Sequence, residues 1–261
     1  MAFEFKEKVI LMSIDGMRPD GFLKCGNPFI EEMMKLGSYC LSGRTVFPSV
    51  TLPCHMSMFH SVPPERHGIL SNTYVPMARP LPGLFEQIRA MGGKSDMYFG
   101  WQPLRDVAGP KTLCRDHLIC ARMEDDTDNK LTELALQRLR EGGADFTFLY
   151  QVETDEKGGH DNGWMTEAYL NRISIAIDNV KRVIEACGDE YTVIVTADHG
   201  GHDRTHGMDI PEDTTIPTFY FGKHFEAGKR FSGGSILDIA PTIAKIMDVM
   251  PAEEWEGTSV I

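Results

Sequence analysis

The sequence predicts an α/β protein, with a mostly parallel central sheet sandwiched between helices and a small loop-rich insertion. Two observations predict it. Short apolar runs of strand length alternate with longer helical stretches along most of the chain, the pattern of layered α/β architecture. Three of the apolar runs lead into aspartate-bearing turns, which places polar chemistry at one sheet edge, where open parallel sheets bind ligands. The first run, residues 8–14, carries Val9, Ile10, Leu11 and Met12 in succession and reads as a central strand. A helical stretch covers 28–36, and a strand piece at 44–47 leads into 51–60. The second half repeats the order: helix 128–140, strand 145–152, helix 166–186 and strand 191–196, then strand 216–221 and helix 237–248. In the long helix Tyr169, Ile173, Ala176, Ile177, Val180 and Ile184 recur at spacings of three and four, a stripe that faces a core. Between 61 and 127 the periodicity weakens among many Pro and Gly, with one helical piece at 84–91 followed by 94–99. Cap or substrate loops are expected there. No repeat, low-complexity tract or linker divides the chain, so residues 1–261 read as one catalytic domain.

At 261 residues, 42% apolar and 25% charged, the chain is neither disordered nor fibrous. No apolar run approaches the roughly 18 residues of a membrane span, and no charged-then-apolar leader opens the sequence. A cytoplasmic protein without a membrane partner is the expectation. The balance of 26 Lys plus Arg against 38 Asp plus Glu, −12 in all, argues against a nucleic-acid polymer as partner. Six cysteines show no CxxC pair, so reduced thiols are expected and zinc held by thiolates is not.

Four clusters carry chemistry. Asp15 follows the first strand and precedes Gly16; alone, Asp-Gly is an ordinary turn pair. After strand 191–196, Asp198, His199, His202, Asp203 and His206 crowd nine positions, a density of oxygen and imidazole donors that suits a divalent transition metal. After strand 145–152 come Asp155, Glu156, His160 and Asp161 around Gly158 and Gly159, either a polar loop or a second set of ligands that the glycines let turn inward. Finally, Ser49 and Thr51 stand where a strand end enters a helix. There a hydroxyl is either an N-cap or a group aimed at an oxyanion by the helix dipole, and spacing alone does not choose between the two.

Together these pieces resemble the alkaline phosphatase superfamily, most closely its nucleotide pyrophosphatase/phosphodiesterase (type I phosphodiesterase) branch. The markers are Ile14-Asp15-Gly16, the stretch 47–55, Glu65-Arg66-His67-Gly68-Ile69, the loop 150–163, the stretch 196–200 and Thr205-His206-Gly207, which together extend over most of the chain. The resemblance implies an alkaline phosphatase-like core and two divalent metal ions, zinc, as cofactors. It makes Thr51 the nucleophile beside a metal held by Asp15, Asp198 and His199, with Asp155, His160 and His206 holding the other. Asn72 matches a phosphate-contacting asparagine and Tyr150 a nucleotide-stacking tyrosine. Leu52 fills the substrate-binding position after the nucleophile, where nucleotide-cleaving members often carry an aromatic residue. Asp155 and His160 are five residues apart where the family usually has four, so either one residue is looped out or Glu156 replaces Asp155.

The implied activity is hydrolysis of small-molecule phosphate diesters through a covalent phospho-threonine. Two divalent ions against three carboxylates leave a site charge of about +1, which suits a diester monoanion. The rivals are a phosphomonoesterase or a phosphonate hydrolase resembling phosphonoacetate hydrolase on the same core, and a metal-binding protein without turnover. The Cys-x-Pro-x-Arg pattern of sulfatases is absent, and Cys54 reads as packing.

Overall fold

Residues 5–261 are described by the structure, a computed structural model. In chain order the elements are β1 (Lys8–Ile14), α1 (Pro19–Lys24), α2 (Ile30–Leu36), β2 (Ser38–Arg44), α3 (Thr51–His60), α4 (Pro64–His67), α5 (Leu84–Ala90), β3 (Ser95–Phe99), β4 (Leu113–Leu118), α6 (Thr127–Arg140), β5 (Phe146–Gln151), α7 (Glu167–Ala186), β6 (Tyr191–Thr196), α8 (Pro211–Thr214), β7 (Thr215–Phe221), β8 (Arg230–Phe231) and α9 (Ile239–Met247). The strands form one sheet of order β4-β3-β5-β1-β6-β7-β2-β8. Only β7 runs against its neighbours, so the sheet is mixed and mostly parallel.

β1 is the central strand because both of its faces are apolar. Val9, Ile10, Leu11 and Met12 are fully buried, and Leu11 lies level with Phe148 of β5 and Ile194 of β6. Covering both faces leaves no room for alternation with polar residues. α6 and α7 pack on each other and over β5 and β1, while α3, α5 and α9 pack together and over β1 and β3. In α7 the stripe from Tyr169 through Ile173, Ala176, Ile177 and Val180 is buried as periodicity requires, with Val183 rather than Ile184 completing it.

Departures from the sequence reading have physical causes. Residues 44–47 are not a strand: β2 ends at Arg44, Phe47 is 58% exposed, and Pro48 has no N–H to give a ladder. β4 escapes the sequence reading because it is an edge strand whose Cys114, Arg115 and Asp116 face solvent. With β3 it joins the main sheet, so region 61–127 is partly core and only stretches such as 68–83 and 119–126 are irregular. No helix among the described residues is long and apolar enough to cross a membrane.

Candidate metal centre and active site

β5, β1 and β6 are adjacent and parallel, so their carboxyl ends emerge together. Asp15 leaves β1, the turn bearing Asp155 leaves β5, and Asp198 with His199 leaves β6. Gly16 makes the first of these turns at φ +66°, and a Cβ there would stand 3.1 Å from Asp155 Oδ1. Any other residue would be strained and would crowd the carboxylate. The Gly16 carbonyl is fixed by Trp164 Nε1–H at 3.0 Å and the Tyr169 hydroxyl at 2.9 Å.

Two clusters of donor atoms result, Asp15 with Asp198 and His199, and Asp155 with His160 and His206; within each, the donor atoms lie within 4.8 Å of one another. Nε2 of His199 stands 3.3 Å from both Asp15 Oδ1 and Asp198 Oδ2. Nε2 of His160 stands 3.3 Å from Asp155 Oδ2, and that of His206 3.8 Å from Asp155 Oδ1. The stacked rings of His199 and His206, 3.9 Å between centroids, join the clusters.

The residues fit metal ions on two counts. First, Nδ1 of each imidazole faces a backbone carbonyl: Gly200 for His199 at 2.7 Å, Arg204 for His160 at 3.0 Å, Ser49 for His206 at 2.9 Å. A carbonyl only accepts, so the proton sits on Nδ1 and the Nε2 lone pair points into the cluster, as metal-ligating histidines require. Second, Asp15 Oδ1, Asp155 Oδ1 and Asp198 Oδ2 are buried without a hydrogen-bond donor, an arrangement costly to a protein unless a cation completes it. The remaining oxygens of Asp15 and Asp198 are held: Asp15 Oδ2 accepts from the Tyr150 hydroxyl, and Asp198 Oδ1 accepts from the backbone N–H of Gly16 at 3.2 Å and of His199 at 2.9 Å.

Electrostatics agree. Burial, then the charges of Asp155 and Asp198, push the Asp15 carboxyl well up, and burial pushes Asp155 up to about 6. At Asp198 burial acts upward too, but the imidazoles of His199 and His55 and hydrogen bonds to its carboxylate outweigh it and hold the carboxyl low. Burial, with the neighbouring His199, drives His206 down to about 3, so its imidazole is neutral at physiological pH.

The backbone accommodates the five-residue spacing. Residues Thr154–His160 form a π-helical turn, closed by Asp161 N–H on the Glu156 carbonyl. The extra residue is absorbed in the wide turn, Asp155 stays in register with His160, and Glu156 turns away to Arg122 at 2.6 Å.

Thr51 opens α3, and its hydroxyl lies 3.2 Å from His199 Nε2. Ser49 is fully buried and donates to the Met208 carbonyl at 2.9 Å. Thr51 is therefore the hydroxyl on the cavity, of about 230 Å³, which Asp15, Asn72, Trp101, Arg122, Asp155, His160 and His206 also line. Asn72 accepts the Leu52 N–H at 3.0 Å, which leaves its NH₂ group as a donor.

Two residues are placed differently from the sequence reading. Tyr150 is fully buried, with its hydroxyl on Asp15, so it orients a carboxylate and presents no face to a base. Leu52 is fully buried in the core and is not among the residues lining the cavity. Trp101 and Arg122, which no motif marks, line the cavity instead. His55, which ends the marker stretch 47–55 but has no role in the sequence reading, lies beneath the site, with Nδ1 2.8 Å from the Thr51 carbonyl and Nε2 3.1 Å from Ser13 Oγ.

The model of the metalloenzyme superfamily matches residues 116–251, more than half of the 261-residue chain. The chain belongs to this superfamily of alkaline phosphatase-like metalloenzymes. Residues 9–89 match the type I phosphodiesterase / nucleotide pyrophosphatase family. Among relatives of this superfamily member, the 2,3-bisphosphoglycerate-independent phosphoglycerate mutase of Clostridioides difficile is 27% identical over 139 residues, 51% of this chain and 27% of that protein. Human ectonucleotide pyrophosphatase/phosphodiesterase family member 1 is 37% identical over 65 residues, 24% of this chain and 7% of its own length. The matches span about a quarter or less of these curated relatives. Murine ectonucleotide pyrophosphatase/phosphodiesterase 5 superposes with a TM-score of 0.81 at 14% identity, over 97% of this chain and 98% of that one; this shows the shared fold.

Proposed function

We propose that the protein is a two-metal phosphodiesterase of nucleotide pyrophosphatase type, cleaving small phosphate diesters through a covalent phospho-Thr51. The observation that carries this is the Thr51 hydroxyl, 3.2 Å from His199 Nε2 at the start of α3 and beside two carboxylate-imidazole clusters. Asp15, Asp198 and His199 would hold one divalent ion and Asp155, His160 and His206 the other, and zinc suits this mixture of imidazole and carboxylate. When bound, the ions supply Lewis acidity for the attacking and leaving oxygens of an in-line displacement. Thr51 Oγ1 bonds to phosphorus as the ester oxygen departs, and water then cleaves the threonine-phosphate bond. The Asn72 NH₂ group donates to a phosphoryl oxygen, and the Trp101 ring forms a wall for the ester's organic arm, a part that buried Tyr150 does not play.

A nucleotide-bearing diester is supported by the likeness to the inactive variant of murine ectonucleotide pyrophosphatase/phosphodiesterase 5 in complex with AMP, at TM-score 0.79. Phosphoryl transfer from a monoester, suggested by the phosphoglycerate mutase relatives, brings a second negative charge into a site whose charges nearly cancel. Among the described residues Arg122 is the one permanent cation lining the cavity; its Nε is held by Glu156 and it also borders the neighbouring depression, so it does not serve as a second cation at the scissile phosphate. The test compares an aryl diester with the aryl monoester in metal-loaded protein. A diester advantage of at least about tenfold in kcat/KM is expected, with turnover lost and metal content retained in Thr51→Ala. A monoester advantage of that size, or activity surviving in Thr51→Ala, overturns the reading.

A further inference from the structure

We propose that Arg122 determines specificity for a second anionic group, a carboxylate or phosphate carried on the substrate's arm beyond the scissile phosphate; the inference rests on the phosphodiesterase reading above. Among the described residues, Arg122 is the only side chain of permanent positive charge lining the catalytic cavity. It also borders a second depression of about 550 Å³, as does Glu156, so the pair stands where the two spaces meet. A group reaching out of the first cavity meets the guanidinium before it reaches the second depression, whose other walls carry Glu124, Asp125, Lys157 and Asp161.

The pair's geometry suits recognition rather than mere neutralisation. Glu156, only 17% exposed, accepts from Nε of Arg122 at 2.6 Å, while the Arg122 side chain is 72% exposed. Nη1 and Nη2 have no partner among the described residues. The carboxylate thus grips the guanidinium by its inner edge and leaves the outer fork, two nitrogens matched to two oxygens, facing solvent at the cavity rim. Lys157, the next residue along the turn, contrasts with it. Its ammonium is taken by Glu153 at 2.8 Å and Asp125 at 3.0 Å and has little left for a ligand. Arg18 is likewise committed, to Asp20 and the Gly201 carbonyl.

Three diesters sharing the 4-nitrophenolate leaving group test the idea: 4-nitrophenyl phenyl phosphate and its analogues with a carboxylate or a phosphate on the phenyl ring. Metal-loaded wild type is expected to prefer the charged analogues by about tenfold in kcat/KM, chiefly through KM. In Arg122→Gln that ratio falls to within about twofold of unity, and Arg122→Lys recovers only part of it. Relative rates on the two charged arms decide between carboxylate and phosphate. A readout without turnover is the affinity of Thr51→Ala for phenylphosphonate and 3-carboxyphenylphosphonate. The carboxylate is expected to tighten binding about tenfold, and the added Arg122→Gln change to abolish the gain. Equal affinities, or a ratio unchanged by Arg122→Gln, overturn the assignment. An intact binding ratio with no turnover of any diester by wild type overturns the phosphodiesterase reading instead.

Discussion

Loading the site with a divalent ion is expected to raise the melting temperature by about 10 °C, and Asp155→Asn to remove about half of that rise. Three carboxylates are buried here with one orphaned oxygen each, so the metal-free fold holds charges that repel and lack donors. An ion that binds the folded chain and not the unfolded one stabilises by RT ln(1 + [L]/Kd), about 2.7 kcal/mol per site at a hundredfold excess over Kd. With about 2.1 cal/mol/K of unfolding entropy per residue, 261 residues give about 0.55 kcal/mol/K, hence about 5 °C per site. The substituted amide would keep the shape of the ligand but lose its charge, emptying the cluster with His160 and His206. It also relieves repulsion in the metal-free protein, so the metal-free variant should melt no lower than metal-free wild type. That separates ligand loss from misfolding. The assay is thermal unfolding by circular dichroism, with chelator and with zinc, alongside metal stoichiometry. A wild-type melting temperature indifferent to metal, or a full rise retained in Asp155→Asn, refutes the reasoning.

Glu156→Gln, by contrast, should retain both ions, because the π-turn points Glu156 at Arg122; loss of one ion on metal analysis would reinstate it as a ligand. Tyr150→Phe removes the donor to Asp15 Oδ2 and should weaken metal binding about 10- to 100-fold, measured by competition with a chromogenic chelator; unchanged affinity would reduce Tyr150 to packing. Burial, then the charge of Glu153, pushes Asp128 up to about 7, so the folded state keeps a proton that the unfolded state, titrating near 4, has released. The stability this contributes is present below pH 4 and lost as pH rises through 7, at up to about 1.4 kcal/mol per pH unit. Urea unfolding of metal-free protein from pH 5 to 8 should therefore show a steeper decline in wild type than in Asp128→Asn. Parallel profiles would contradict it.

What the sequence discloses follows from how local each signal is. β1 and β6 announce themselves as apolar runs because both faces are covered, and Asp15, Asp198 and His199 follow within one to three residues of the strand ends. β4 does not, since an edge strand with exposed Arg115 and Asp116 has no apolar face to report. Most of the two donor clusters is legible for the same local reason, whereas His206, ten residues past the end of β6, and Arg122 and Trp101 reach the cavity from loops whose course depends on the whole fold. Tyr150 misleads because the sequence gives its distance to Asp155 but not which face of β5 it occupies. A tyrosine inside the sheet and one at its rim look alike on paper.

The π-turn has a consequence for how this site tolerates change. In a regular helix one added residue rotates everything beyond it by about 100°, and His160 would leave its partners. Here the surplus is confined to a single wide loop of backbone, so the ion-holding atoms keep their positions while one more side chain appears at the cavity's lip. Along seven consecutive residues the donor atoms of Asp155 and His160 are thereby set apart from the position of Glu156, which on the proposed reading could take a new side chain while those donor atoms stay where they are.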